Sequence, residues 1–182
     1  MKTTFLYSIF VASLLLFSAC GGGETNEQDT GAASADEGRT ISIIGTDQMK
    51  FTVTEAEEGI VTGEQSGDYI IIESIEASAG EELSVRLTTE SNMPPTAMSH
   101  NFVLLEQDAN VDEFIRTAIT ARDNDYISPD YEDQVIAHTE VLGDGESDTI
   151  TFTVPDEPGE YVFVCSFPGH FQGGMVGTLI VS

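Results

Sequence analysis

Cys165-Ser166-Phe167-Pro168-Gly169-His170-Phe171-Gln172-Gly173-Gly174-Met175 places a thiol, an imidazole and a thioether within eleven residues. A thioether is a poor ligand for hard ions and for zinc, but it suits copper, which cycles between Cu(I) and Cu(II). Tyr161 to Cys165 reads as a strand, so the sheet fixes the direction of the Cys165 side chain. Pro168 and Gly169 turn the chain so that His170 swings back towards the same point. Gly173 and Gly174 permit a second tight turn that brings Met175 in from one side.

A second imidazole comes from Ser99-His100-Asn101, which opens another strand behind the stiff pair Pro94-Pro95. Two His and one Cys near a plane, with a weak axial Met, is the donor set of a blue-copper site. The whole chain has 3 His, at positions 100, 138 and 170. A copper enzyme of the nitrite reductase or oxidase kind needs a further metal site, for which too few imidazoles remain. A copper carrier or storage protein is the alternative reading, although caging by four side chains argues against release.

Outward from this loop the chain reads as short strands. Ile41 to Gly45, Met49 to Thr54, Tyr69 to Ile75 and Asn101 to Leu105 are β-rich. Leu83, Val85 and Leu87 alternate with polar residues, as do Ile150, Phe152 and Val154, and Thr178 to Val181 closes the chain. Asp144-Gly145 and Pro158-Gly159 supply turns. One segment has helical spacing: Val111, Phe114, Ile115, Ala118 and Ile119 form one apolar face, which predicts a helix over 109–122. Asp108 or Asn110 can cap it, with Glu113 placed as in a capping box. The pattern predicts an all-β, Greek-key β-sandwich with one short helical insert over residues 39–182. Residues 55–68 carry no readable signal.

The start of the chain is different. Lys2, an apolar run from Phe5 to Phe17 and then Ser18-Ala19-Cys20 fit a signal peptide over 1–19. The run is too short to span a bilayer, which takes about 20 apolar residues. Small residues before Cys20 and three glycines after it resemble a bacterial lipoprotein cleavage site, with Cys20 lipidated; the alternative is an ordinary signal peptide with an incidental cysteine. Residues 20–38 are rich in Gly, Ala, Ser, Glu and Asp and read as a flexible acidic tether. The expected location is the bacterial cell envelope, on the periplasmic or outer-membrane side. With Cys20 and Cys165 in such different contexts, a disulfide is not expected.

The chain holds 32 acids against 6 bases, for a net charge of −26. Residues 39–182 account for 27 acids and 5 bases, so the excess is not confined to the tether. Such a surface repels phosphates and argues against nucleic-acid binding. Two readings remain open: solubility in a saline medium, and steering of a cationic partner.

These motifs resemble the azurins, and more broadly the cupredoxins. Ile43-Ile-Gly-Thr-Asp-Gln-Met-Lys-Phe51 is similar to their first strands, and Met98-Ser-His-Asn-Phe102 to their first-ligand segment. Asp125-Tyr126 and Val135-Ile-Ala-His138-Thr resemble the stretch after the azurin helix. The resemblance implies copper ligands at His100, Cys165, His170 and Met175, with the Ser99 carbonyl aimed at the other axial side. It implies that the Asn101 and Phe167 N–H groups donate to the Cys165 sulfur. His138 matches a surface residue. Met98, Pro95, Pro168, Gly169 and Phe171 would form an apolar docking patch around an exposed edge of His170, or else ordinary loop packing. The implied function is one-electron transfer with redox proteins such as a c-type cytochrome or a terminal reductase or oxidase, with no small-molecule substrate. Azurins have one residue fewer between loop His and Met; the spacing here resembles plastocyanin and auracyanin. The azurin disulfide has no counterpart, and residues 55–68 form an insertion.

Overall fold

A computed structural model describes residues 38–182. The leader, Cys20 and the tether up to residue 37 lie outside the described residues. The strands are β1 (Arg39–Thr46), β2 (Lys50–Val53), β3 (Ile60–Ser66), β4 (Tyr69–Ala77), β5 (Glu82–Glu90), β6 (Val103–Leu105), β7 (Val135–His138), β8 (Ser147–Thr153), β9 (Gly159–Val164) and β10 (Val176–Val181). One helix, α1 (Val111–Ala118), interrupts them, followed by 3₁₀ turns at Arg122–Asn124 and Pro129–Gln134.

Hydrogen bonds link the strands in the order β7-β6-β9-β10-β4-β2-β1-β5-β8, with β3 added on β4. The ends of this path, β7 and β8, lie near one another, so the ribbon curls into a sandwich. The β1–β5 and β4–β10 pairs are parallel and the rest are antiparallel. Parallel neighbours cannot be joined by a tight hairpin, so the chain must cross over, as Greek-key connections do.

Period-two alternation builds the core. Ile41 and Ile43 of β1, and Leu83, Val85 and Leu87 of β5, point inward. Under the metal-ligand loop stand three phenylalanines. Phe51 meets Phe163 at 5.4 Å and Phe102 at 6.0 Å, both edge-on, and Phe102 stacks on Phe163 at 5.0 Å. Rings of this size each bury roughly 150–250 Å² and add pair energies of roughly 0.5–1.5 kcal/mol. Val103, Leu105 and Val164 face the opposite way and form a second cluster with Phe114 and Ile115 of α1. The helix thus covers the outer side of β6 and β9, which are buried on both faces.

The structure revises four expectations from the sequence. The helix is Val111–Ala118, shorter than 109–122, because Thr120 and Ala121 bond back three residues and tighten the last turn. Ile119 therefore leaves the apolar face and is 60 % exposed. Asn110 caps α1 by accepting from the Glu113 N–H, but Glu113 does not reciprocate; its carboxylate pairs with Arg116. Residues 55–68 contain β3, which turns through Gly67 (φ 65°) into β4. Its register shifts at Val61/Thr62 and Thr62/Gln65, so no alternation survives in the sequence.

Candidate metal centre

Cys165 follows the last residue of β9, and Met175 precedes the first residue of β10. The Cys165 N–H donates to the Met175 carbonyl at 3.1 Å, which closes the loop at its neck. Inside it, the His170 N–H donates to the Phe167 carbonyl at 3.1 Å, with Pro168 second and Gly169 (φ 88°) third in the turn. That is the type II pattern, in which the third position needs a positive φ. The Met175 N–H then returns to the His170 carbonyl at 2.9 Å.

His100 does not lie within a strand. It forms an isolated bridge with Leu142, through His100 N–H to Leu142 O at 2.9 Å and Leu142 N–H to His100 O at 2.8 Å. Regular pairing of β6 starts only at Val103, because the chain must first bring His100 over to the loop. Gly45 of β1 backs the imidazole: a Cβ there would stand 2.8 Å from the ring. The His100 Nε2 points to the Thr46 carbonyl but makes no well-formed hydrogen bond.

Three buried donors converge. The His100 and His170 Nδ1 atoms are 3.1 Å apart, and the Cys165 sulfur lies 4.0 Å from the first and 3.4 Å from the second. Atoms with these separations lie on a circle of radius about 2.1 Å, which matches ordinary metal–nitrogen and metal–sulfur bond lengths. His100, Cys165 and His170 would together hold one metal ion. Met175 is fully buried in the same cluster as Cys165 and Phe167. Thiolate, two imidazoles and a thioether fit copper.

Burial sets the protonation of the metal-free site. It pushes His100 down to about 3, with the neighbouring His170 adding to the effect and Asp47 opposing it. His170 is pushed down to about 4 by burial. Cys165 is pushed up to about 12 by burial, against the opposing backbone N–H groups of Asn101 and Phe167. Both imidazoles are therefore neutral and the thiol protonated across the neutral range.

The backbone N–H groups of Asn101 and Phe167 face the Cys165 sulfur. The side chain of Asn101 adds a link that sequence reasoning missed. Its Nδ2 donates to the Ser166 hydroxyl and the Asp125 carbonyl, both at 2.8 Å, while its Oδ1 accepts from the Ser166 N–H at 2.9 Å. The first-ligand segment is thereby stapled to the ligand loop. Ser99 is buried, and its hydroxyl donates to the Pro95 carbonyl at 2.8 Å, steadying the peptide before His100. Phe167 lies against the His170 ring at 4.7 Å and against Tyr126 at 5.2 Å. His138 stands apart and exposed on β7.

Two surface expectations change. Met98 is only 6 % exposed, so it presents little surface to a partner. His170 is only 2 % exposed, so the expected exposed edge is nearly sealed. Pro95 and Gly169 are exposed, Pro168 is half-buried, and half-buried Phe171 packs against the α1 cluster.

These features define the class: a Greek-key sandwich holding one His₂Cys site with a buried Met is a type 1, or blue, copper protein. Residues 72–182 match the family of copper binding proteins described as plastocyanin/azurin. The chain is 33 % identical to azurin of Pseudomonas aeruginosa over 143 residues, covering 77 % of this chain and 82 % of that one. It is 34 % identical to outer membrane protein H.8 of Neisseria meningitidis over 95 residues, 52 % of this chain and 51 % of the other. Among solved structures, reduced auracyanin from Roseiflexus castenholzii superposes with a TM-score of 0.60 at 28 % identity, covering 79 % of this chain and 96 % of that one. The chain belongs to the plastocyanin/azurin family of copper-binding proteins, and it is a blue copper electron-transfer protein.

Metal binding needs the thiolate and two neutral imidazoles, so loading should release one proton, from Cys165. Between about pH 5 and 8, above His170 at about 4 and below Cys165 at about 12, copper affinity should rise roughly tenfold per pH unit. Below about pH 4 the slope should steepen as the imidazoles protonate. Competition titrations of the apoprotein across this range check it; a flat profile would show the thiol already ionised.

Proposed function

We propose that the protein shuttles single electrons between redox partners of the cell envelope, held there by a lipid on Cys20. The observation that carries this reading is the sealing of the site: His100 and Cys165 are 0 % and His170 2 % exposed. A substrate would need an opening, and so would a copper ion being handed on, whereas an electron crosses a packed wall. That argues against both an enzyme and the alternative of a copper carrier or storage protein.

Bound copper supplies the Cu(II)/Cu(I) couple. The chain's part is to hold the donors still. His100 is pinned by its bridge to Leu142, the loop by its Cys165–Met175 neck, and the two are tied together by Asn101 and Ser166. The N–H groups of Asn101 and Phe167 stabilise the thiolate form of Cys165. The Ser99 carbonyl, on the peptide preceding His100, would be a further oxygen donor near the metal in this reading. Pro95, Pro168, Gly169 and the visible side of Phe171 form the docking surface in this reading, with His170 and its Phe167 contact as the electron's way through.

The envelope location is supported by the leader and Cys20 motif, and by a relative named as an outer membrane protein. β1 begins at Arg39, whereas Gly45, near the other end of that strand, lies against His100. The ligand loop therefore sits at the end of the domain remote from Arg39. Of the two readings of the acidity, we favour steering of a basic partner, such as a small c-type cytochrome or a terminal reductase or oxidase.

Three outcomes test this reading. Cys165→Ser should abolish the intense thiolate-to-copper absorption while leaving the sandwich folded by circular dichroism; a blue variant would refute the ligand assignment. Cys20→Ser should move the protein from the membrane to the soluble fraction, since the acyl chains contribute roughly 0.8 kcal/mol per buried methylene; persistent membrane binding would point to another anchor. Electron transfer with a basic c-type cytochrome should slow by roughly 10-fold or more as salt rises through the physiological range, because steering is screened. A rate flat or rising with salt would favour solubility in a saline medium as the reason for the charge.

A further inference from the structure

Lys50, the first residue of β2, is the one lysine among residues 38–182. Among the described residues the ion pairs join Arg39 to Glu81 and Arg116 to Glu113, so Lys50 has no carboxylate partner despite the acidity around it. Its Nζ instead donates to two backbone carbonyls of the ligand loop, Gly173 at 2.9 Å and Gly174 at 3.1 Å. Those carbonyls lie between His170 and Met175, the stretch that is one residue longer than in azurins.

The loop is shaped around this ammonium. Gly174 has φ 86°, and a Cβ on it would stand 2.4 Å from the Lys50 Nζ. A Cβ on Gly173 would stand 2.8 Å from the sulfur of Met49, in the turn before Lys50. A side chain at Gly174 would displace the Lys50 ammonium, and one at Gly173 the end of the Met49 side chain. Met175 does not depend on Lys50 for its place. Its N–H is held by the His170 carbonyl, its own carbonyl accepts from Cys165, and its side chain is fully buried. The contact therefore brings a charge to the site more than it holds a ligand there.

We propose that Lys50 is a tuning residue, whose ammonium, seated on the Gly173 and Gly174 carbonyls, raises the reduction potential of the metal centre. A fixed positive charge destabilises the oxidised centre relative to the reduced one, which carries one positive charge fewer. In a domain of net charge −22 the surrounding field favours the oxidised state, and Lys50 opposes it from close range. The role deepens, and rests on, the electron-transfer reading.

The test is redox titration of the copper-loaded full chain and three variants. Lys50→Met removes charge and donors, Lys50→Gln removes the charge but can still donate, and Lys50→Arg keeps both. At a fixed ambient potential, the oxidised-to-reduced ratio should rise at least about threefold in Lys50→Met and Lys50→Gln and stay within about twofold of the parent in Lys50→Arg. The thiolate-to-copper band should keep its position in all of them, as befits an unchanged ligand set. An unchanged or lowered ratio in both uncharged variants would overturn the proposal. So would a shifted band in Lys50→Met, which would make Lys50 a clamp on Met175. A parent protein without a blue band or a reversible one-electron couple would sink the electron-transfer reading itself, and the tuning role with it.

Discussion

The upper half of this domain depends on Phe163 and Cys165 pointing the same way. Residues two apart on a strand share a face, so when the sandwich buries Phe163 it also aims the following thiol inward. Phe102, just before β6, stacks on Phe163 at 5.0 Å, and Phe51 wedges against both. The His100 ring, two residues earlier, is set by its own bridge to Leu142. A register slip of one residue in β9 would turn Cys165 towards α1 and lose the site. The apolar contacts that stabilise the fold are also the ones that orient the thiol.

That placement comes at an electrostatic cost to the metal-free protein. Two imidazole nitrogens 3.1 Å apart beside a buried thiol would repel strongly if charged. Burial resolves this by keeping all three neutral. Rigidity then comes from neutral groups: the bridge of His100 to Leu142, the neck of the loop, and the Asn101–Ser166 staple. Because each of these bonds joins groups other than the donor nitrogens and sulfur, the donors stay free for metal while their frame is fixed. A frame of this kind gives the site little to rearrange when the metal changes charge.

Much of this was legible in the sequence because it is local. The loop's donors, its Pro-Gly and Gly-Gly turns and the alternation of β5 and β8 lie within a few residues of one another. The capping of α1 by Asn110 was one of two readable options. What was missed involves distant contacts or broken periodicity. β3 is hidden by its register shifts, and Ile119 fits the helical spacing but falls just past the last turn. Met98 and His170 are apolar-patch residues by resemblance, yet local packing nearly closes over both. The Lys50 contact spans 123 and 124 residues, and a lone lysine in an acidic chain carries no pattern that would announce it.

The His170–Met175 segment is held by three overlapping turns. Gly173 bonds back four residues to Gly169, Gly174 three residues to Phe171, and Met175 five residues to His170. The successive turns differ in width, and the last of them is the widest. A wide turn leaves its carbonyls without internal donors, and those of Gly173 and Gly174 point to the neighbouring β1–β2 turn. Unpaired carbonyls beside a buried site would be costly, and the Lys50 ammonium satisfies both of them. The width of this turn and the position of the one lysine among the described residues therefore meet in the same hydrogen-bonding requirement.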